Sequence, residues 1–184
     1  MIIEKLSQTI SAAAPSDTII IFIAGHVVTE RKEYYLATST TRLEDIENTA
    51  LPWSDVSRVL AKAHSRITVF LDACHSGAAG TDYFASNDTS AAALMNRGAA
   101  SILIFSASKG REVSKESDEQ GGGGEFTTAV INAINDPKTD QNHNGEIEAS
   151  ELYAAVKQAV VRRTSGKQTP WFARNDMIGD FVPF

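Results

Sequence analysis

Cys74 is the only cysteine among 184 residues, and it stands just past an apolar block, Ile67–Leu71. His26 stands just past another such block, Thr18–Ala24. A thiol attacks a carbonyl carbon as its thiolate, so a nucleophilic cysteine needs a base, a nearby positive charge or a helix N-terminus. An imidazole can take the thiol proton and later return one to a leaving amine. Gly77 and the small residues after Cys74 leave room for a substrate backbone. The tetrahedral oxyanion of this reaction needs backbone N–H donors, and the amides of Cys74 and Val27 are the candidates. Each residue also has a plainer reading. A lone cysteine is commonly a small buried hydrophobe, and a histidine at a strand end is commonly a hydrogen-bonded surface residue. Their joint placement favours the chemistry. His75, beside the cysteine, faces the opposite way in an extended chain and is the weaker base candidate.

The elements that must position these residues can be read from apolar spacing. The blocks 18–24, 67–71 and 100–105 are short, continuous and rich in β-branched residues, the pattern of strands buried on both faces. Helical spacing runs through 2–13, 53–64 (with Ser54 as its N-cap), 88–97, 126–134 and 150–163. Glu33–Leu36 reads as a short strand after a turn at 29–32, and Phe181-Val182 as an added edge strand. The polar, charged stretch 109–124 ends in four glycines and reads as a loop, either merely solvated or gating a cleft. Strands alternating with helices predict an α/β sandwich with a mostly parallel sheet flanked by helices, in one domain spanning 1–184. Sites in such sheets form beyond the carboxyl ends of the strands, which puts His26 and Cys74 on the same rim.

Composition narrows the partners. The formal net charge is −6, and the basic residues are scattered, with no run longer than Arg162–Arg163. Nucleic-acid surfaces need clustered cations, so nucleic acid is not expected as a partner. One cysteine permits no internal disulfide, there is no basic-then-apolar leader, and no apolar run approaches the roughly 20 residues that span a bilayer. A cytoplasmic protein without a membrane partner is expected.

Ala24-Gly25-His26 after one strand, and Phe70-Leu-Asp-Ala-Cys-His-Ser-Gly77 after another, closely resemble the two active-site motifs of caspase-like cysteine peptidases. In caspases the histidine lies about 50 residues upstream of the cysteine; here the separation is 48. Ser106-Ala-Ser-Lys-Gly-Arg and the later Gly124-Glu-Phe-Thr127 resemble the substrate-binding loop and following helix of the bacterial and metacaspase branch. The resemblance implies a three-layer sandwich and an endopeptidase working through an acyl-enzyme on Cys74, with no cofactor needed for the chemistry. It also implies a role for Asp72, two residues before the cysteine, as the carboxylate that receives a basic P1 side chain, so that proteins or peptides are cut after Arg or Lys. The alternative for Asp72 is a structural carboxylate accepting loop N–H bonds. Ser106, Ala107 and Ser108 are the segment expected to pair with the substrate backbone, strand against strand. Two departures stand out. Family members usually read Gly-His-Gly where this chain has Val27, whose branched side chain resists φ > 0 and predicts weakened turnover. The strand–helix–strand that usually opens the domain has no counterpart ahead of residue 1, so either the sequence is a piece of a longer chain, or a partner chain or a second copy is expected over the exposed sheet edge. The competing function is a catalytically weak or silent module of the same fold that binds partners or assembles.

The stretch 140–151 carries a separate pattern. Asp140, Asn142 and Asn144 alternate, Gly145 follows, and Glu151 closes a twelve-residue segment, matching the EF-hand template. Three side-chain oxygens, the carbonyl of Glu146 and a bidentate Glu151 would hold Ca²⁺. The alternative is an Asx-rich turn that caps the next helix without metal.

Overall fold

Along the central strands successive side chains enter two different apolar sets, and this alternation makes three layers out of one sheet. The computed structural model describes residues 1–31, 33–73, 91, 101–108, 124–174 and 180–184. In chain order the described elements are α1 (Ile2–Ala12), β1 (Thr18–Gly25), β2 (Val27–Glu30), β3 (Glu33–Leu36), α2 (Ile46–Thr49), β4 (Leu51–Pro52), α3 (Trp53–Leu60), β5 (Arg66–Ala73), β6 (Ile102–Ser106), α4 (Glu125–Asn135), α5 (Ala149–Arg163) and β7 (Trp171–Arg174). The main sheet has the order β1-β5-β6-β7, with β1, β5 and β6 parallel and β7 antiparallel at one edge. A small antiparallel sheet, β2-β3-β4, rises from the end of β1.

Ile19, Ile67, Val69, Leu71, Ile102 and Ile104 point to the α1–α3 side, where they pack with Ile10, Trp53, Val56 and Leu60. Phe70, Leu103 and Phe105 point the other way, against Phe126, Val130, Leu152 and Val156 of α4 and α5. Phe105 is stacked between Phe70 and Phe172, with ring centroids 5.1 and 6.0 Å apart. The expected α/β sandwich with helices on both faces is therefore the observed one, with an antiparallel edge and a second antiparallel sheet added to the parallel core.

Several local expectations change. β1 is an edge strand, not one buried on both faces: Ile20 is 50% and Phe22 46% exposed, because α4 and α5 cover the β5–β7 side of that face. The helix expected from 53 to 64 runs from Trp53 to Leu60, and its N-cap is Pro52, without a side-chain cap, in place of Ser54. The added edge strand comes from Trp171–Arg174 and not from Phe181-Val182. The end of the chain is instead pinned by single bonds: Thr68 donates its hydroxyl to the Pro183 carbonyl at 3.0 Å, and the Ala149 N–H donates to the Phe181 carbonyl at 2.9 Å. The helix expected at 88–97 and the loop at 109–123 lie outside the described residues, apart from the buried Ala91.

Candidate active site

Parallel pairing in the sheet runs in register from Thr18↔Arg66 to Gly25↔Ala73, so β1 and β5 end level with each other. His26 is the residue after Gly25, and Cys74 is the residue after Ala73. Cys74 and His75 lie outside the described residues. His26 is half-buried, and its carbonyl accepts the Ala37 N–H at 2.9 Å. That bond makes 26 and 37 a hydrogen-bonded pair of the antiparallel ladder. Val27 and Leu36, the next pair, are then of the non-bonded kind, and the Val27 amide points away from β3. The Val27 side chain is buried in the core that includes Trp53. Val27 takes strand geometry and is not among the described residues with positive φ, so the left-handed backbone that a branched residue resists is not required there.

Asp72 shares its strand face with Phe70 and so leaves the sheet toward α4. Only 3% of it is exposed. Thr127, in the first turn of α4, donates its hydroxyl to Oδ2 at 2.6 Å, while Oδ1 has no hydrogen-bond partner among the described residues. Burial pushes the Asp72 carboxyl above its ordinary range, opposed by the hydroxyl and backbone N–H of Thr127. Gly124, the N-cap of α4, lies against the carboxylate. Neither Thr127 nor Gly124 was marked by sequence reasoning as touching Asp72. The string Gly124-Glu-Phe-Thr127 was visible, but nothing in the spacing ties it to a carboxylate 55 residues away.

Ser106, Ala107 and Ser108 are buried, and much of their backbone is already engaged. The Ala107 N–H donates to Leu71 at 2.9 Å, Gln168 Nε2 donates to the Ala107 carbonyl at 2.9 Å, and Trp171 Nε1 donates to the Ser108 carbonyl at 3.1 Å. Ser106 pairs with Trp171 across β6 and β7.

At 140–151 the loop closes on itself. Asp140 accepts the N–H groups of Asn144 and Gly145 at 3.2 and 2.9 Å, and Asn144 Oδ1 accepts the Glu146 N–H at 2.8 Å. Glu151 accepts from the N–H groups of Gln141 and Asn142, and with Glu148 it forms a capping box at the start of α5. Gly145 has φ +88, a conformation that favours glycine. Among the described residues no group of three or more His, Cys, Asp or Glu could hold a metal ion; the asparagines and the carbonyl of the template lie outside that count.

The sequence matches the caspase-domain family of peptidases, Peptidase_C14, over residues 1–182, and the chain belongs to that family. Among solved structures it resembles that of protein GSU0716 from Geobacter sulfurreducens, with a TM-score of 0.59 and 19% identity over 97% of this chain and 73% of that one. That likeness is one of fold. The curated proteins contain no match to this chain. No helix among the described residues is long and apolar enough to cross a membrane.

Proposed function

We propose that the chain is a cysteine endopeptidase in which Cys74 attacks the scissile carbonyl and His26 serves as its base. The observation that carries this reading is the level ending of β1 and β5, with His26 and Cys74 the residues that follow the paired Gly25 and Ala73. In the first step the thiolate sulfur bonds to the carbonyl carbon, the C–N bond breaks, and the imidazolium gives its proton to the departing amine. Water then adds to the thioester carbonyl, His26 takes a proton from it, and the C–S bond breaks to release the acid and the thiol. The amides of Val27 and Cys74 would hold the oxyanion; in support, the Val27 amide is turned away from the β2–β3 ladder.

The specificity proposed is Arg or Lys before the cut bond. A buried carboxylate with one oxygen unpartnered among the described residues is costly unless a cation meets it, and a basic substrate side chain is such a cation. Ser106–Ser108 are proposed to border the substrate backbone. A fluorogenic peptide ending in Arg tests the whole reading: turnover is expected, and Cys74→Ala should lower it at least about a thousandfold. Preference for an Asp-terminated peptide would overturn the specificity. No turnover of any peptide, and no labelling of Cys74 by an Arg-directed acyloxymethyl ketone, would leave the silent module in its place.

Two further roles belong to this reading. The 140–151 loop is proposed to take Ca²⁺ on Asp140, Asn142, Asn144, the Glu146 carbonyl and Glu151, in favour of which stands the complete twelve-residue template. The exposed side chains of β1 are proposed as the face that a second copy of the chain covers.

A further inference from the structure

The Asp72 carboxylate is gripped from one side. Thr127 donates its hydroxyl to Oδ2 at 2.6 Å, and Oδ1 is left without a partner among the described residues. Gly124 closes in so tightly that a Cβ on it would collide with Oδ2. The backbone of Gly124, at φ −67 and ψ 147, is open to any residue, so glycine is needed there for space and not for conformational freedom. Between the two, Glu125 accepts from Arg163 Nε at 2.5 Å, which ties the first turn of α4 to the last turn of α5. A short hydroxyl-to-carboxylate bond, a close glycine wall and an anchored helix turn together fix both the position and the rotation of a nearly buried acid.

We infer that Thr127 is a positioning residue for substrate recognition: with Gly124 it seats Asp72 so that Oδ1 is the oxygen left for the basic side chain of the substrate. The inference rests on the peptidase reading above and adds the device that orients its specificity carboxylate. Thr127 touches neither the cut bond nor the thiol in this scheme. Its effect should therefore fall on binding and not on the chemical step.

Thr127→Val removes the hydroxyl at nearly constant shape, and Thr127→Ser keeps it. In Thr127→Val the KM for Arg- and Lys-terminated peptides should rise, with kcat/KM falling about tenfold or more, since the hydrogen bond lost is to a charged group. The kcat should be kept, as expected when binding common to ground and transition states is lost. Alkylation of Cys74 by iodoacetamide, which carries no substrate side chain, should proceed at the wild-type rate. Thr127→Ser should restore KM. A threonine that merely supported the fold would reduce kcat and alkylation together and leave KM where it was. That pattern, or an unchanged kcat/KM in Thr127→Val, or a serine variant as impaired as the valine, would overturn the inference. Wild-type protein without turnover on any basic peptide removes the peptidase reading and this inference with it; wild-type turnover that Thr127→Val keeps in full removes this inference alone.

Discussion

A carboxylate taken out of water loses solvation that one hydroxyl cannot replace, and Asp72 is in that position, with Thr127 on Oδ2 and no partner on Oδ1 among the described residues. Burial raises its pKa above the ordinary 3.8, against the pull of Thr127. A raised folded-state pKa means that the favoured, protonated form is fully present below the unfolded value, and that this stability is lost as pH climbs through the folded one. Asp72→Asn keeps the acceptor for Thr127 and removes the charge. Its thermal midpoint should match wild type in acid and exceed it increasingly toward neutral pH, while cleavage after Arg and Lys is lost. A midpoint difference that does not vary with pH would contradict this. Such a trade of stability against recognition is what a site built around an unpaired charge predicts. The level ends of β1 and β5, beside His26 and Asp72, were legible in the sequence because each closes an apolar strand block, whereas the role proposed for Asp72 came from the resemblance and not from the spacing. Thr127 and Gly124 were not legible, because their meeting with Asp72 depends on how α4 lies across β5, which no local spacing encodes.

At the scale of elements, α5 begins where Glu148 and Glu151 cap it, and Glu151 is also the closing residue of the proposed Ca²⁺ loop. The two roles separate by experiment. Glu151→Gln should change the midpoint little without calcium, because an amide oxygen can still accept at that position of a capping box. With calcium present the wild-type midpoint should rise, as it does for any ligand that binds only the folded state, and the variant's should not. Equal midpoints with and without calcium in the wild type would leave the loop as a cap alone. Helix and strand cores were well read from periodicity, since α1, β5, α4 and α5 each fall within a few residues of the apolar pattern that announced them. The misreadings have physical causes. The apolar block of β1 spells burial on both faces, yet burial depends on which neighbours arrive, and α4 and α5 lie over β5 to β7. Trp171–Arg174 gave the edge strand, with the Phe172 ring against Phe105 and Tyr153 on one face and Trp171 against the opposite cluster.

At the scale of the whole molecule, β1 is an edge strand of the main sheet with apolar side chains exposed. Ile20 and Phe22 stand exposed on β1, and Phe22 continues the ring stack onto Phe70 at 6.3 Å. A flat apolar edge is a template for pairing with another chain, and a lysine on it is the usual deterrent. Ile20→Lys should therefore lower concentration-dependent association in sedimentation velocity without changing the thermal midpoint of dilute protein. Equal sedimentation of variant and wild type would remove the second-copy proposal. The opposite situation holds one strand further in. β5 has a hydrogen-bonded neighbour on each side and a helical layer on each face, so its amides can reach solvent only when most of the sheet comes apart. Asp72 hangs from the end of that strand. The acid proposed to read the substrate is thus carried by an interior strand of the sheet, whose opening requires its neighbours on both sides to part.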